Sequence, residues 1–217
     1  FKSSNKIISA YGITILSTVV GTVCGLSMTI LMAYPLSRRD LPGRNGLAFY
    51  VFFTMLFSGG LVPTYIMYTR YIKVSNTIWA LIIPSLVVNA FYVIMMRTYF
   101  STNIPEAVIE AARIDGAGRM RTMLQILLPL TLPGLVAVGI YTFLNAWDDY
   151  LMSMTIMQVN NMKTLPVGLA QSFLGEYAHD YGALMAFSMA GSLPIVLLFV
   201  FFQKYMVSGL TAGAVKG

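Results

Sequence analysis

Charge is scarce in this chain of 217 residues: Asp, Glu, Lys and Arg make up 10%, against 57% hydrophobic residues. The few charges are also clustered, which leaves charge-free runs at 7–37, 45–69, 74–96, 122–147 and 181–203. Each run exceeds the roughly 20 residues that a helix rising about 1.5 Å per residue needs to cross a hydrocarbon core of about 30 Å. A soluble domain of this length could hide one such helix, but it could not enclose five. The composition predicts an all-α, polytopic helical membrane protein with spans near 10–34, 47–68, 77–96, 130–151 and 183–202.

Other absences narrow the chemistry. Cys24 and His179 are each the single residue of their type, which excludes an internal disulfide framework and leaves a zinc ion without a ligand set. A phosphate-binding loop needs Gly-Lys-Ser/Thr, and the Lys-Ser/Thr pairs here, Lys2-Ser3 and Lys163-Thr164, follow Phe1 and Met162. No nucleophile–base constellation stands out, so the chain reads as a non-enzyme that needs no cofactor of its own. The net charge of +6 comes from 14 basic residues spread over membrane-flanking loops, which points to a bilayer and not to nucleic acid. Phe1 is not an initiator Met, and 1–6 is too short and polar for a targeting signal. The expectation is that a further N-terminal span precedes it.

With the spans placed, the loops alternate sides. One side holds Arg38, Arg39, Arg44, Arg97, Arg113, Arg119, Arg121, Lys204 and Lys216, and the other holds Lys2, Lys6, Arg70, Lys73 and Lys163. The richer side is predicted to be cytoplasmic. The C-terminus and the loop at 104–129 then face the cytoplasm, and 158–182 faces outward.

The loop at 104–129 is the polar exception in an apolar chain. Ile104-Pro105-Glu106 is a helix start, with proline at a position that needs no N–H and an acid at the positive helix end. Val108, Ala111 and Ala112 are expected on the buried face, with Glu110 and Arg113 paired at i, i+3 outside. Asp115-Gly116-Ala117-Gly118 breaks this helix. A second follows, its apolar face formed by Met120, Met123, Leu124, Leu127 and Leu128 and its polar face by Arg121, Thr122 and Gln125. Periodicity alone leaves two readings open: an amphipathic interfacial hairpin, or a knob that docks on a soluble partner.

Glu110-Ala111-Ala112, then Gly116, then Ile126-Leu127-Leu128-Pro129 together resemble the cytoplasmic loop of ATP-binding-cassette importer permeases. Tyr34-Pro35-Leu36-Ser37-Arg38 with Pro42-Gly43 is similar to a cytoplasmic turn of maltose-type carbohydrate permeases. The ending at 209–217 resembles the tail of a maltose-type permease subunit, although its small residues alone read as a flexible end. The stretch from Phe57-Ser58-Gly59-Gly60 to Tyr65 looks like the branch that imports larger, alginate-like oligosaccharides.

That resemblance implies a single permease domain of the type I importer kind over 1–217. Its implied place is the bacterial inner membrane, paired with a second, related permease subunit. Two nucleotide-binding subunits would hold the ATP and Mg, and an extracytoplasmic binding protein would deliver the solute. Glu110, Ala111, Ala112, Arg113, Asp115 and Gly116 would couple to the ATPase. A permease for a non-sugar solute and an ion-coupled carrier acting alone are the alternatives.

Candidate pathway residues are Asn145, Trp147 and Asp148 in Asn145-Ala146-Trp147-Asp148-Asp149-Tyr150, with Asn89 and Tyr92 in the preceding span. Aromatic faces beside hydrogen-bonding groups suit a sugar, and polar residues at membrane depth face cavities or partners. A headgroup belt formed by Trp147 and Tyr150 is the plain alternative. Glu176, Tyr177, His179 and Asp180 occupy, by position, the loop that meets the binding protein in maltose-type importers.

Overall fold

The computed structural model describes the backbone of residues 2–86, 88–173 and 180–214 and the side chains of 6–83, 88–173 and 180–204. These residues form helices and turns, without a strand among them. Helices α1 (Lys2–Ser37) and α12 (Tyr181–Ala214) are continuous and apolar enough to cross a membrane. The residues from Gly209 to Ala214, expected as a flexible end, continue α12 instead.

The three middle runs are interrupted, so the predicted spans at 47–68, 77–96 and 130–151 are not continuous helices. Helix α2 (Arg44–Leu56) stops before α3 (Leu61–Ile66), which runs into a π-helical turn at Met67–Tyr71. At the break Gly60 has φ 81°, a left-handed conformation that favours glycine. Helix α4 (Ile78–Leu86) precedes α5 (Ala90–Asn103), whose N-cap is Asn89. After α7 (Arg119–Arg121), the fourth run opens with a π-helical stretch at Thr122–Leu127 and α8 (Leu128–Leu130), then bends by 84° into α9 (Leu132–Trp147). Between α5 and α7 lies α6 (Glu106–Ile114). Helix α9 has 16 residues and so rises about 24 Å, less than a full hydrocarbon core. Among the described residues, two helices are long and apolar enough to cross, or up to four if each bent pair is one span. Apolar composition reports where a run prefers to be; it is blind to the Gly, Asn and Pro residues that redirect the backbone within it.

The chain divides into two compact units. The first comprises 1–24, 59–87 and 141–201 and includes α10 (Leu151–Ile156) and α11 (Leu165–Phe173). One of its cores joins Ile7, Trp147, Leu165, Leu169 and Phe173, and another joins Tyr68, Ala80, Leu81, Ile156 and Met157. Polar bonds stitch the segment that follows α10 in place. Asn76 Oδ1 accepts from the backbone N–H of Gln158 and Val159 at 2.8 and 3.1 Å, and the Leu165 N–H donates to Thr14 Oγ1 at 2.7 Å. Within the expected outward loop at 158–182, residues Leu165–Phe173 form the packed helix α11.

The second unit comprises 25–58, 88–140 and 202–217. Its core gathers Ala33, Leu36, Val51, Val93, Met96, Phe100, Ile109 and Leu127 around α5. Here α9 lies very close to α5: a Cβ added at Gly134 would sit 2.8 Å from the Tyr99 ring. We predict that Gly134→Ala destabilises the detergent-purified protein by about 1–3 kcal/mol, the range for overpacking, read as a lowered thermal midpoint. Added to Tyr99→Ala, the same change should cost almost nothing. Equal costs in both backgrounds would rule out the close approach as the cause.

Candidate functional site

The charge-rich segment builds one corner of the second unit. Helix α6 starts after extended Pro105, with Glu106 in its first turn and Arg113 in its last, both matched to the helix dipole. It closes through a pair of backbone bonds, Ala117 N–H to Ala112 O at 2.9 Å and Gly116 N–H to Arg113 O at 3.0 Å. This is the Schellman pattern, which needs a left-handed residue at Gly116; its φ is 76°.

Several expected faces are corrected. The residues of α6 buried in the core are Ile109 and Ala112, with Val108 half-buried and Ala111 exposed. Thr122 is buried at 2% exposure and its hydroxyl donates to Gly118 O at 3.2 Å, while Met120 and Leu124 are exposed. The π-helical stretch causes this, because widening the turn brings Thr122 and Leu127 to the same face in place of the i, i+3, i+4 set. Arg121 Nε donates to Gln125 Oε1 on the outer side at 2.9 Å, as the polar-face reading expects.

Arg113 also finds another partner. Its Nη2 lies 2.6 Å from Asp40 Oδ2, so the expected pairing with Glu110 is replaced by an ion pair to the turn after α1. That turn is the second motif singled out in the sequence, and its geometry is dense. Arg38 lies 5.5 Å from the centroid of Tyr34, Ser37 Oγ donates to Tyr34 O, and Arg97 Nε donates to Leu36 O at 3.1 Å. A cavity of about 220 Å³ separates the two motifs, lined by Tyr34, Arg38, Asp40, Ile109, Arg113 and Met123 among others. The Arg113 guanidinium holds the Asp40 carboxyl below the ordinary aspartate range.

What α6 leaves outside is a coherent face. Ala107, Glu110, Ala111 and Ile114 recur at i, i+3, i+4 and i+7, and all are exposed, Ile114 at 86%. Ile114, Ala107 and Asp40 were missed by the sequence reading. The signal for the first two is their i, i+7 spacing, which places them on the face opposite Ile109 and Ala112.

The pathway candidates fall in different settings. In the first unit Asn145 and Asp148 are exposed and line a cavity of about 340 Å³ with Asp149 and Tyr150. Asp149 caps α10, accepting from the Ser153 N–H at 3.2 Å. Trp147 is buried; its Nε1 donates to Gly191 O at 3.2 Å and its ring stacks on Phe143, so its N–H is satisfied inside the protein. In the second unit Asn89 Oδ1 accepts from the Phe91 N–H to cap α5, and Tyr92 lies in the core. Asp180 caps α12 through the Ala183 N–H at 2.9 Å. Glu176, Tyr177 and His179 lie outside the described residues.

Apolar helices broken within their runs and a polar helix-turn-helix corner fit a membrane transport component, and comparison with known proteins identifies the family. Residues 21–211 match the family of binding-protein-dependent transport system inner membrane components, and this chain belongs to that family. It is 32% identical to the polygalacturonan/rhamnogalacturonan transport system permease YtcP of Bacillus subtilis, over 99% of this chain and 79% of that protein. It is 34% identical to the arabinooligosaccharide permease AraQ of Halalkalibacterium halodurans, over 95% and 74%. Among solved structures, a bacterial ABC transporter involved in the import of the acidic polysaccharide alginate matches with a TM-score of 0.84 at 26% identity, covering 93% of this chain and 75% of that one. The chain is therefore a transporter component of the inner membrane, with the helical permease fold.

The Arg113–Asp40 pair is solvent-exposed, and such pairs contribute about 0–1 kcal/mol. Asp40→Asn should leave thermal stability within about 1 kcal/mol of the parent. If the pair sets the angle of α6, that variant should nonetheless lower transport, and the exchange of the two residues (Asp40→Arg with Arg113→Asp) should restore part of it. Because the Asp40 pKa is depressed in the folded state, the pair's contribution is present above the ordinary aspartate range and is lost as pH falls through the lowered value. Transport measured near neutral pH should show no titration from this pair; a loss at neutral pH that is absent in Asp40→Asn would contradict the assignment.

Proposed function

We propose that this chain is one transmembrane subunit of an ATP-binding-cassette importer that moves an oligosaccharide or other carbohydrate into the cytoplasm. Its relatives support the solute class, since their names specify pectic polysaccharides and arabinooligosaccharides and the structural neighbour imports alginate. Energy comes from two separate ATPase subunits that hold ATP and Mg, because this chain has no phosphate-binding loop of its own. A second, related permease completes the pathway, and an extracytoplasmic binding protein supplies the solute, with Asp180 near the point of contact. The C-terminus and α6 face the cytoplasm. Asn145 and Asp148 line the solute's route.

The observation that carries this reading is the outward face of α6. Ala107 and Ala111 permit close approach, Ile114 offers an apolar anchor, and Glu110 offers a charge at the edge. An exposed large apolar side chain at the tip of a polar corner suits a socket on a soluble partner. The plain role of Gly116 is the left-handed turn itself, and the two roles coincide: that turn holds Ile114 at the tip. Closure of the ATPase dimer would move α6, and with it the core beneath, between two packed states.

Ile114→Asp should leave the permease folded yet reduce ATPase co-purification at least about tenfold, as expected for removal of a central anchor. ATP hydrolysis stimulated by the binding protein should fall with it. The stimulation should require binding protein loaded with an oligosaccharide; an amino acid giving the same response would favour a non-sugar solute. Unchanged co-purification would refute docking through this face.

Sidedness is checked separately. In a Cys24→Ser background, Arg39→Cys should react with an impermeant maleimide in inverted vesicles and not in intact spheroplasts. The opposite pattern would reverse the topology.

A further inference from the structure

A second cavity in the same unit, of about 490 Å³, is lined by Arg38, Arg39, Arg44 and Arg97 with Glu106 as the one acidic lining residue. Its volume lies within the range of about 300–1,000 Å³ for ligand pockets. Among the described residues none of these four arginines has a carboxylate within 4 Å, since the ion pair at that distance is Arg113–Asp40. Glu106 and Asp40 attract Arg38 electrostatically, yet four guanidiniums against one lining carboxylate leave the concavity net positive, which favours an anionic ligand. Two of the guanidiniums are already held in place: Arg97 Nε donates to Leu36 O at 3.1 Å and Arg38 Nε to Ser37 Oγ at 3.0 Å. Their orientation is set before any ligand arrives, which lowers the cost of binding one.

We propose that this cavity receives the phosphate of an anionic phospholipid headgroup. Guanidinium groups match phosphate oxygens in charge and in paired hydrogen-bond geometry. The surroundings favour a lipid over a soluble phosphate ester. Arg44 begins α2, and the residues that follow it on that helix include exposed Leu47, Phe49, Tyr50 and Phe53. A lipid has a phosphate for the arginines and acyl chains for this apolar face, whereas a soluble ester satisfies only the first. The placement rests on the proposed cytoplasmic orientation, where basic pockets at helix ends meet anionic headgroups.

The test uses the assembled transporter in detergent, titrated with phosphatidylglycerol or phosphatidylcholine and followed by native mass spectrometry. Phosphatidylglycerol should be retained preferentially, and Arg39→Gln with Arg44→Gln should weaken its retention about thirtyfold, from about 1 kcal/mol per basic side chain. Arg39→Lys with Arg44→Lys should keep most of it. Equal retention of both lipids, or no loss in the glutamine variant, overturns the proposal. Displacement of the lipid by millimolar glycerol 3-phosphate would reassign the site to a soluble phosphate ester. Loss of the ATPase subunits from the glutamine variant in lipid-free detergent would reassign the arginines to partner carboxylates. The thiol-labelling experiment at position 39 reports sidedness independently, so a wrong topology and a wrong ligand give different results.

Discussion

Burial of Ile109 and Ala112 is the constraint on which the polar corner of the second unit depends. Helix α6 has nine residues, and isolated helices shorter than about 12–15 residues are marginal in water. Its order therefore comes from the core beneath it, where Ile109 meets the cluster containing Leu36, Val93 and Phe100. Full burial of such a side chain contributes roughly 1.5–3 kcal/mol, more than the exposed Arg113–Asp40 pair beside it. Apolar packing fixes where α6 sits. The left-handed turn at Gly116 sets where its chain leaves, and the ion pair ties its last turn to Asp40.

Much of this corner was legible in the sequence: a helix start at Pro105-Glu106, a glycine turn, and a following apolar helix all appear where expected. The faces were less legible. Assigning Val108, Ala111 and Ala112 to the core assumed that small apolar residues point inward, but alanine loses little by exposure and Ile109 gains more by burial. The second helix escaped a period of 3.6 because part of it is π-helical, and nothing in Thr122–Leu127 signals that locally. Arg113 was assigned to Glu110 because only neighbours on one helix are visible without tertiary structure; its partner lies 73 residues away.

The membrane body shows the same division between composition and geometry. Hydropathy located every apolar run, yet three of the five are broken at Gly59-Gly60, at Asn89 and before Pro133. Breaks of this kind release backbone N–H and C=O groups that lipid cannot satisfy. The structure partly answers them with side chains: Asn89 caps α5, and Thr64 Oγ1 donates back to Gly60 O at 2.7 Å. Trp147 makes the corresponding point about side chains. A Trp near the end of an apolar run reads as a headgroup anchor, but an internal acceptor at Gly191 lets it be buried with its N–H satisfied.

The ordering of interaction strengths also constrains how the corner would carry load in the proposed transport cycle. A push on α6 reaches the bundle through Ile109, Ala112 and, behind the turn, Thr122 and Leu127, all buried and closely packed. Packed interiors transmit displacement because they compress little. The exposed ion pair is the weaker link, so under load it would yield before the apolar seat does. The last turn of α1, tied to α5 by the Arg97–Leu36 bond, would then stay with α5, while Asp40 and Arg113 re-pair at a new angle as α6 moves. A weak, hydrated pair is better suited to that role than a buried one, since a buried charge separated from its partner costs several kcal/mol.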